Sequence, residues 1–183
     1  LAEGGCYPDI GTPGQSMAGC SHNGVYAYDF NLRAGHIVLA ARDGVIGAIR
    51  TNSNKGCGSS KCAGDANYVR VDRNNPGGST TSEWYLHLAY QQTPLWQVGQ
   101  EIHQGDPLGL AGTTGYSTGV HLHFDVRQYT FVPDTFAQYL SNYSSGNSVP
   151  VSFYEVKADS TSCGTADGKL LYIDADSQRC SYK

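Results

Sequence analysis

The residues able to do chemistry in this chain are chiefly its histidines: His22, His36, His87, His103, His121 and His123. The most informative arrangement is His121-Leu122-His123. Side chains two apart on a strand leave the same face, so both imidazoles would enter one site. Upstream, His22 is followed by Asp29 in Ser21-His-Asn-Gly-Val-Tyr-Ala-Tyr-Asp-Phe30, and His87 sits within Trp84-Tyr-Leu-His-Leu88. Imidazole and carboxylate are the donors of a catalytic zinc site, which uses three protein ligands and leaves a fourth position for water. Two histidines and one aspartate would leave that centre with net positive charge, able to lower the pKa of a bound water towards neutrality.

Short runs of apolar or β-branched residues separated by turn residues must position these groups. Strands are expected over Val25 to Phe30, Ile37 to Ile49, Tyr68 to Asp72, Glu83 to Leu88 and His121 to Arg127. Asp43-Gly44 reads as a hairpin turn that splits the second run into two strands. Thr51 to Asp65 reads as a loop extension, and Gly112 to Gly119 as turn chemistry rather than close approach to a ligand. Pro133-Asp134 opens one helical pattern, with Phe136, Tyr139, Leu140 and Tyr143 on one face, which predicts a short packing helix.

Three regions follow: a Gly- and Pro-rich arm over 1–21, a catalytic domain over 22–143, and a linker with a small hairpin-like appendage over 144–183. The 183 residues are enough to bury an independent core. With 23 glycines, 13 tyrosines and only 15% charged residues, short strands and tight turns are favoured over long helices. A net charge of −4 supplies no basic field for nucleic acid or anionic membrane. No apolar run is long enough to cross a bilayer, and Leu1-Ala2-Glu3-Gly4-Gly5 lacks the features of a signal peptide. A processed, soluble, monomeric chain is expected. Six cysteines in three local couples, Cys6 with Cys20, Cys57 with Cys62 and Cys163 with Cys180, point to disulfides and to a secreted, extracellular or periplasmic location. A thiolate zinc site is the rival reading, but no Cys-x2-Cys pair occurs.

The order of several motifs resembles the lysostaphin-like, or LytM-type, zinc metallopeptidases, which include the β-lytic endopeptidases. These motifs are Ser21-His22 to Asp29-Phe30, Val38-Leu-Ala-Ala-Arg-Asp-Gly-Val45, Ala66-Asn-Tyr-Val-Arg-Val71, Trp84-Tyr-Leu-His-Leu88, Val98 to Gly109, and Thr114-Gly-Tyr-Ser-Thr-Gly-Val-His-Leu-His-Phe124. The resemblance covers about residues 20 to 130. It implies an antiparallel β-sheet groove of the duplicated-hybrid-motif kind, with one zinc ion held by His22, Asp29 and His123. His87 and His121 fall on the family's catalytic pair, one handling a proton of the water and the other the oxyanion or leaving amine. The family commonly places three residues between the first ligand and the aspartate, whereas six separate His22 from Asp29. Asp29 is nonetheless the only carboxylate between Asp9 and Asp43. His36 and His103 match no ligand position and read as surface or packing residues.

The implied function is hydrolysis of cross-bridge or stem peptides in bacterial peptidoglycan. The alternatives are a non-catalytic wall-binding scaffold of the same fold and a broader secreted protease acting on Gly-rich proteins. Tyr26, Tyr28 and Tyr116 are candidates to line the groove, with packing as the other reading. Tyr172 and Tyr182 permit a wall-binding tail, with packing against the catalytic domain as its alternative. No HExxH helix or P-loop is present.

Overall fold

A computed structural model of the chain describes residues 22, 25–144, 147–149 and 151. The expected Cys6–Cys20 staple, the Cys163–Cys180 hairpin and the tail tyrosines lie outside the described residues. Among the described residues ten strands form in chain order: β1 (Ala27–Asn31), β2 (Ile37–Leu39), β3 (Gly44–Arg50), β4 (Gly56–Cys57), β5 (Tyr68–Asn74), β6 (Thr80–Leu86), β7 (Glu101–Ile102), β8 (Pro107–Leu110), β9 (Gly115–Tyr116) and β10 (His121–Tyr129). One short helix, α1 (Phe136–Ser141), follows them. The fold is mostly antiparallel β, as the sequence predicts. Among the described residues no helix is long and apolar enough to cross a membrane.

A six-stranded antiparallel sheet runs β1-β10-β6-β5-β3-β7. Its two faces do different work because side chains alternate along every strand. Tyr28, Phe30, Val69, Val71, Tyr85, Leu122, Phe124 and Val126 form the main core with Val38 of β2 and Leu108 of β8. On the opposite face, Tyr68, Trp84 and Leu86 pack under Phe136 and Tyr139 of α1. Trp84 stacks on Tyr139 at 4.1 Å and Tyr68 on Phe136 at 4.4 Å. Tyr28 is thus a core residue rather than part of the groove lining, while Tyr116 is exposed.

The helix has only six residues, so aromatic packing and capping must hold it rather than helical propensity. Its cap is Thr135, whose hydroxyl accepts from Gln138 N while the Gln138 side chain accepts from Thr135 N, a reciprocal capping box.

Asp43-Gly44 is not a hairpin turn. Strand β2 pairs with β8, and β3 pairs with β5 and β7, so the expected two strands belong to different sheets. Gly44 serves close packing instead: a Cβ there would lie 2.6 Å from Val71 Cγ1 and 2.8 Å from Asp72 O. The segment expected as a loop extension carries the Cys57–Cys62 disulfide and a short 3-10 turn, Ser60–Asp65. It is tied to the Gly112 to Gly119 loop by parallel pairing of β4 with β9. Gly115, at φ +81°, is needed there, because a Cβ would meet the Ala66 Cβ at 2.5 Å. The glycines thus allow backbone to approach backbone.

Candidate metal centre and catalytic pair

Pairing of β1 with β10 sets Asp29 opposite His123, and pairing of β10 with β6 sets His123 opposite Leu86. Directly opposed residues share a face, so Asp29 and His123 stand on the side of the sheet that α1 covers at its far end. The spacing of His121 and His123 does what the strand period predicts, and both rings enter the same site. Within the interval between His22 and Asp29, Val25 N donates to His22 O at 3.2 Å.

His22, Asp29 and His123 each offer a ligand atom, and these atoms lie within 4.8 Å of one another. His22 Nε2 is 2.9 Å from Asp29 Oδ2, and His123 Nδ1 is 3.2 Å from Asp29 Oδ1. His22 Nε2 is buried yet makes no contact of hydrogen-bond geometry, an orphaned donor atom facing a carboxylate. Two nitrogens and a carboxylate converging from three directions fit a zinc ion's preference for mixed N and O ligands. The electrostatics are those of a site built for positive charge. Burial alone would raise the Asp29 carboxyl, but the His123 and His22 imidazoles hold it well below the usual carboxylate range. Burial opposes a proton on His123, yet Asp125 and Asp29 together raise it to about 9.

His87 and His121 lie beside this cluster, with ring centroids 4.6 Å apart. Their placement is not symmetrical. Glu83, Tyr85 and His87 alternate along one side, which on a continued strand would turn His87 away from the site and into the core. His87 instead adopts φ +65°, the one positive φ of a non-glycine among the described residues, and its ring swings over to His121 and His123. Such a conformation costs on the order of 1–3 kcal/mol and persists where its surroundings enforce it. Here His87 Nδ1 donates to Thr114 O at 2.7 Å, while the Thr114 hydroxyl donates to Leu88 O and accepts from Asn67 N. Burial, followed by the charges of His123 and His121, lowers the His87 pKa to about 3. His121 Nδ1 donates to Gly119 O at 2.9 Å, with the Ser117 hydroxyl 3.3 Å away. Both rings therefore place Nδ1–H on a carbonyl, and His121 Nε2 comes within 3.7 Å of Asp29 Oδ1. The Gly112 to Gly119 loop supplies those carbonyls, so β9 and its flanks position the pair.

Sequence reasoning missed two parts of this site. Continuing the period-two spacing from His121 and His123 gives Asp125 and Arg127 on the same face. Asp125, fully buried, lies 3.4 Å from His123 Nε2, and Arg127 donates to it through Nε at 3.1 Å and Nη2 at 3.2 Å. The Tyr139 hydroxyl donates to Asp125 Oδ2 at 2.7 Å. Tyr143, read as a packing residue, places its hydroxyl 3.1 Å from His22 Nδ1. His36 and His103 lie apart from the site: His36 Nδ1 accepts from Arg33 N, and exposed His103 approaches Asp106.

The chain is 33% identical over 105 residues to a peptidoglycan DD-endopeptidase of Vibrio cholerae, a match covering 57% of this chain and 20% of that protein. It is 31% identical over 111 residues to a glycyl-glycine endopeptidase of Staphylococcus capitis, covering 60% of this chain and 26% of that protein. The chain thus spans about a quarter or less of the length of these curated relatives. Among solved structures, the catalytic domain of lysostaphin from Staphylococcus simulans aligns with a TM-score of 0.44 at 28% identity, covering 65% of this chain and 78% of that one. The model of peptidase family M23 matches residues 21–135, well over half of the chain, and the protein therefore belongs to that family.

Proposed function

We propose that this chain is a zinc-dependent endopeptidase that hydrolyses peptide bonds of bacterial peptidoglycan outside the cytoplasm. The observation that carries the reading is the convergence of His22, Asp29 and His123 beside the His87–His121 pair. The named relatives act on wall peptides or glycyl-glycine bonds, which supports the substrate class. The Cys57–Cys62 disulfide supports an oxidising compartment.

In this proposal His22 Nε2, an Asp29 oxygen and His123 Nδ1 hold the metal. Zinc, when bound, supplies Lewis acidity toward a carbonyl and lowers the pKa of a water. The remaining work falls to the chain's own groups. The His87 and His121 rings lie side by side, with centroids 4.6 Å apart. One ring accepts the proton of the attacking water and the other stabilises the developing oxyanion. The ring that took the water's proton returns it to the amide nitrogen as the C–N bond breaks, leaving a carboxylate and a new amine.

The test is release of new amino groups from purified peptidoglycan of several cross-bridge types, with a soluble Gly-rich protein assayed in parallel. Amine release from wall, abolished by a chelator and restored by zinc, is the expected result. A zinc-loaded chain that cuts only the Gly-rich protein would replace the wall substrate with a broader protease. A chain that cuts neither yet sediments with wall would replace the enzyme with a scaffold.

A further inference from the structure

We propose that Tyr143 is a positioning residue of the metal centre, its hydroxyl bridging the outer ring nitrogens of His22 and His123 so that the inner nitrogens face Asp29. The inference rests on the metal-centre reading above and extends it to the segment that follows α1. The Tyr143 hydroxyl lies 3.1 Å from His22 Nδ1 and 3.4 Å from His123 Nε2. These are the nitrogens turned away from Asp29, which is met by His22 Nε2 and His123 Nδ1. When the inner nitrogens serve as ligands they carry lone pairs, so the outer ones carry the protons. His22 Nδ1–H then donates to the Tyr143 oxygen, and His123 Nε2–H is shared between that oxygen and Asp125 Oδ2, each at 3.4 Å.

Tyr143 is itself held on three sides. Arg127 Nη1 donates to the Tyr143 carbonyl at 2.8 Å, the Arg127 guanidinium sits 4.8 Å from its ring centroid, and Tyr143 N donates to Leu140 O at 3.3 Å. The Arg127 that clamps Asp125 therefore also fixes the tyrosine, and both brace the imidazoles from behind. Removing the hydroxyl leaves a buried imidazole N–H without its acceptor and frees the His22 ring to rotate.

The experiment compares the full-length chain with its Tyr143→Phe and Leu140→Ala variants. Zinc affinity is read by competition with a chromophoric chelator, and ligand geometry by the visible absorption of the cobalt-loaded proteins. Tyr143→Phe is expected to weaken zinc binding 10- to 100-fold and to alter the cobalt spectrum. Leu140→Ala, which trims the helix preceding Tyr143 without touching the hydroxyl, is expected to retain both. A wild type that binds no metal would defeat the metal-centre reading itself. A wild type that binds zinc, with Tyr143→Phe matching it within threefold and showing the same spectrum, would overturn the inference alone. So would an equal loss in Leu140→Ala.

Discussion

Arg127 is the residue on which the buried half of the site depends, and replacing it with methionine shows why. Its side chain is 1% exposed and that of Asp125 fully buried, with two donated hydrogen bonds between them at 3.1 and 3.2 Å. The same guanidinium donates to the carbonyls of Asn142 and Tyr143 just beyond α1 and lies 4.9 Å from the Tyr139 ring centroid. Methionine preserves much of the apolar stem but leaves the Asp125 carboxylate buried with only Tyr139 and His123 as partners. Breaking one side of a buried ion pair typically costs about 3–5 kcal/mol. For a chain of 183 residues that corresponds to a fall in melting temperature of roughly 6–20 °C. Urea unfolding in the presence of a chelator measures the loss without a contribution from metal binding. Asp125→Asn in the Arg127→Met background removes the stranded charge and should recover a substantial part of it. A loss below about 1 kcal/mol, or a double variant no more stable than Arg127→Met alone, would refute the assignment of a coupled buried pair.

Three further outcomes are expected. In the metal-free chain, His87, held at about 3 chiefly by burial, contributes stability that is full above 6.5 and lost as pH falls from there, because the unfolded state gains a proton that the folded state refuses. His123 behaves oppositely: against the effect of burial, Asp125 and Asp29 raise it to about 9, so its contribution is full below 6.5 and lost as pH rises through 9. Urea midpoints of the chelated protein should therefore peak near pH 6.5, with the alkaline decline removed by zinc; a monotonic profile in the chelated protein would contradict this. His87→Ala should lower kcat by about 10²–10⁴-fold with zinc stoichiometry unchanged, and metal loss in that variant would show that His87 is not confined to proton handling. Replacing Cys57 and Cys62 by serine should cost about 2 kcal/mol through loss of a short closed loop and lower kcat by loosening the β4–β9 pairing beside Ser117 and His121; unchanged kcat would detach that loop from the site.

The site was partly legible in the sequence because it uses strand periodicity. His121 and His123 share a face for the reason that residues two apart always do, and family order supplied His22, Asp29 and His87. The same periodicity reaches Asp125 and Arg127, but a carboxylate and a guanidinium on a strand ordinarily read as a solvated edge. Only the closure of α1 over Trp84 shows that they are buried together. His87 is the reverse case: periodicity directs it into the core, and a positive φ imposed by the Thr114 contact carries it to the site. Strands β4 and β9, two residues each, are too short to carry any pattern, and their pairing depends on what Gly115 permits. Asp43-Gly44 has the composition of a turn but is used for contact between strands, which composition alone does not distinguish.

The most direct test of the metal centre is zinc content per chain after dialysis, measured by atomic emission for the wild type and for His123→Ala. One zinc in the wild type and none in the variant, with the variant still folded by circular dichroism, is the predicted result. A folded wild type without stoichiometric metal, or a His123→Ala variant that retains it, would contradict the assignment of His22, Asp29 and His123 as its ligands.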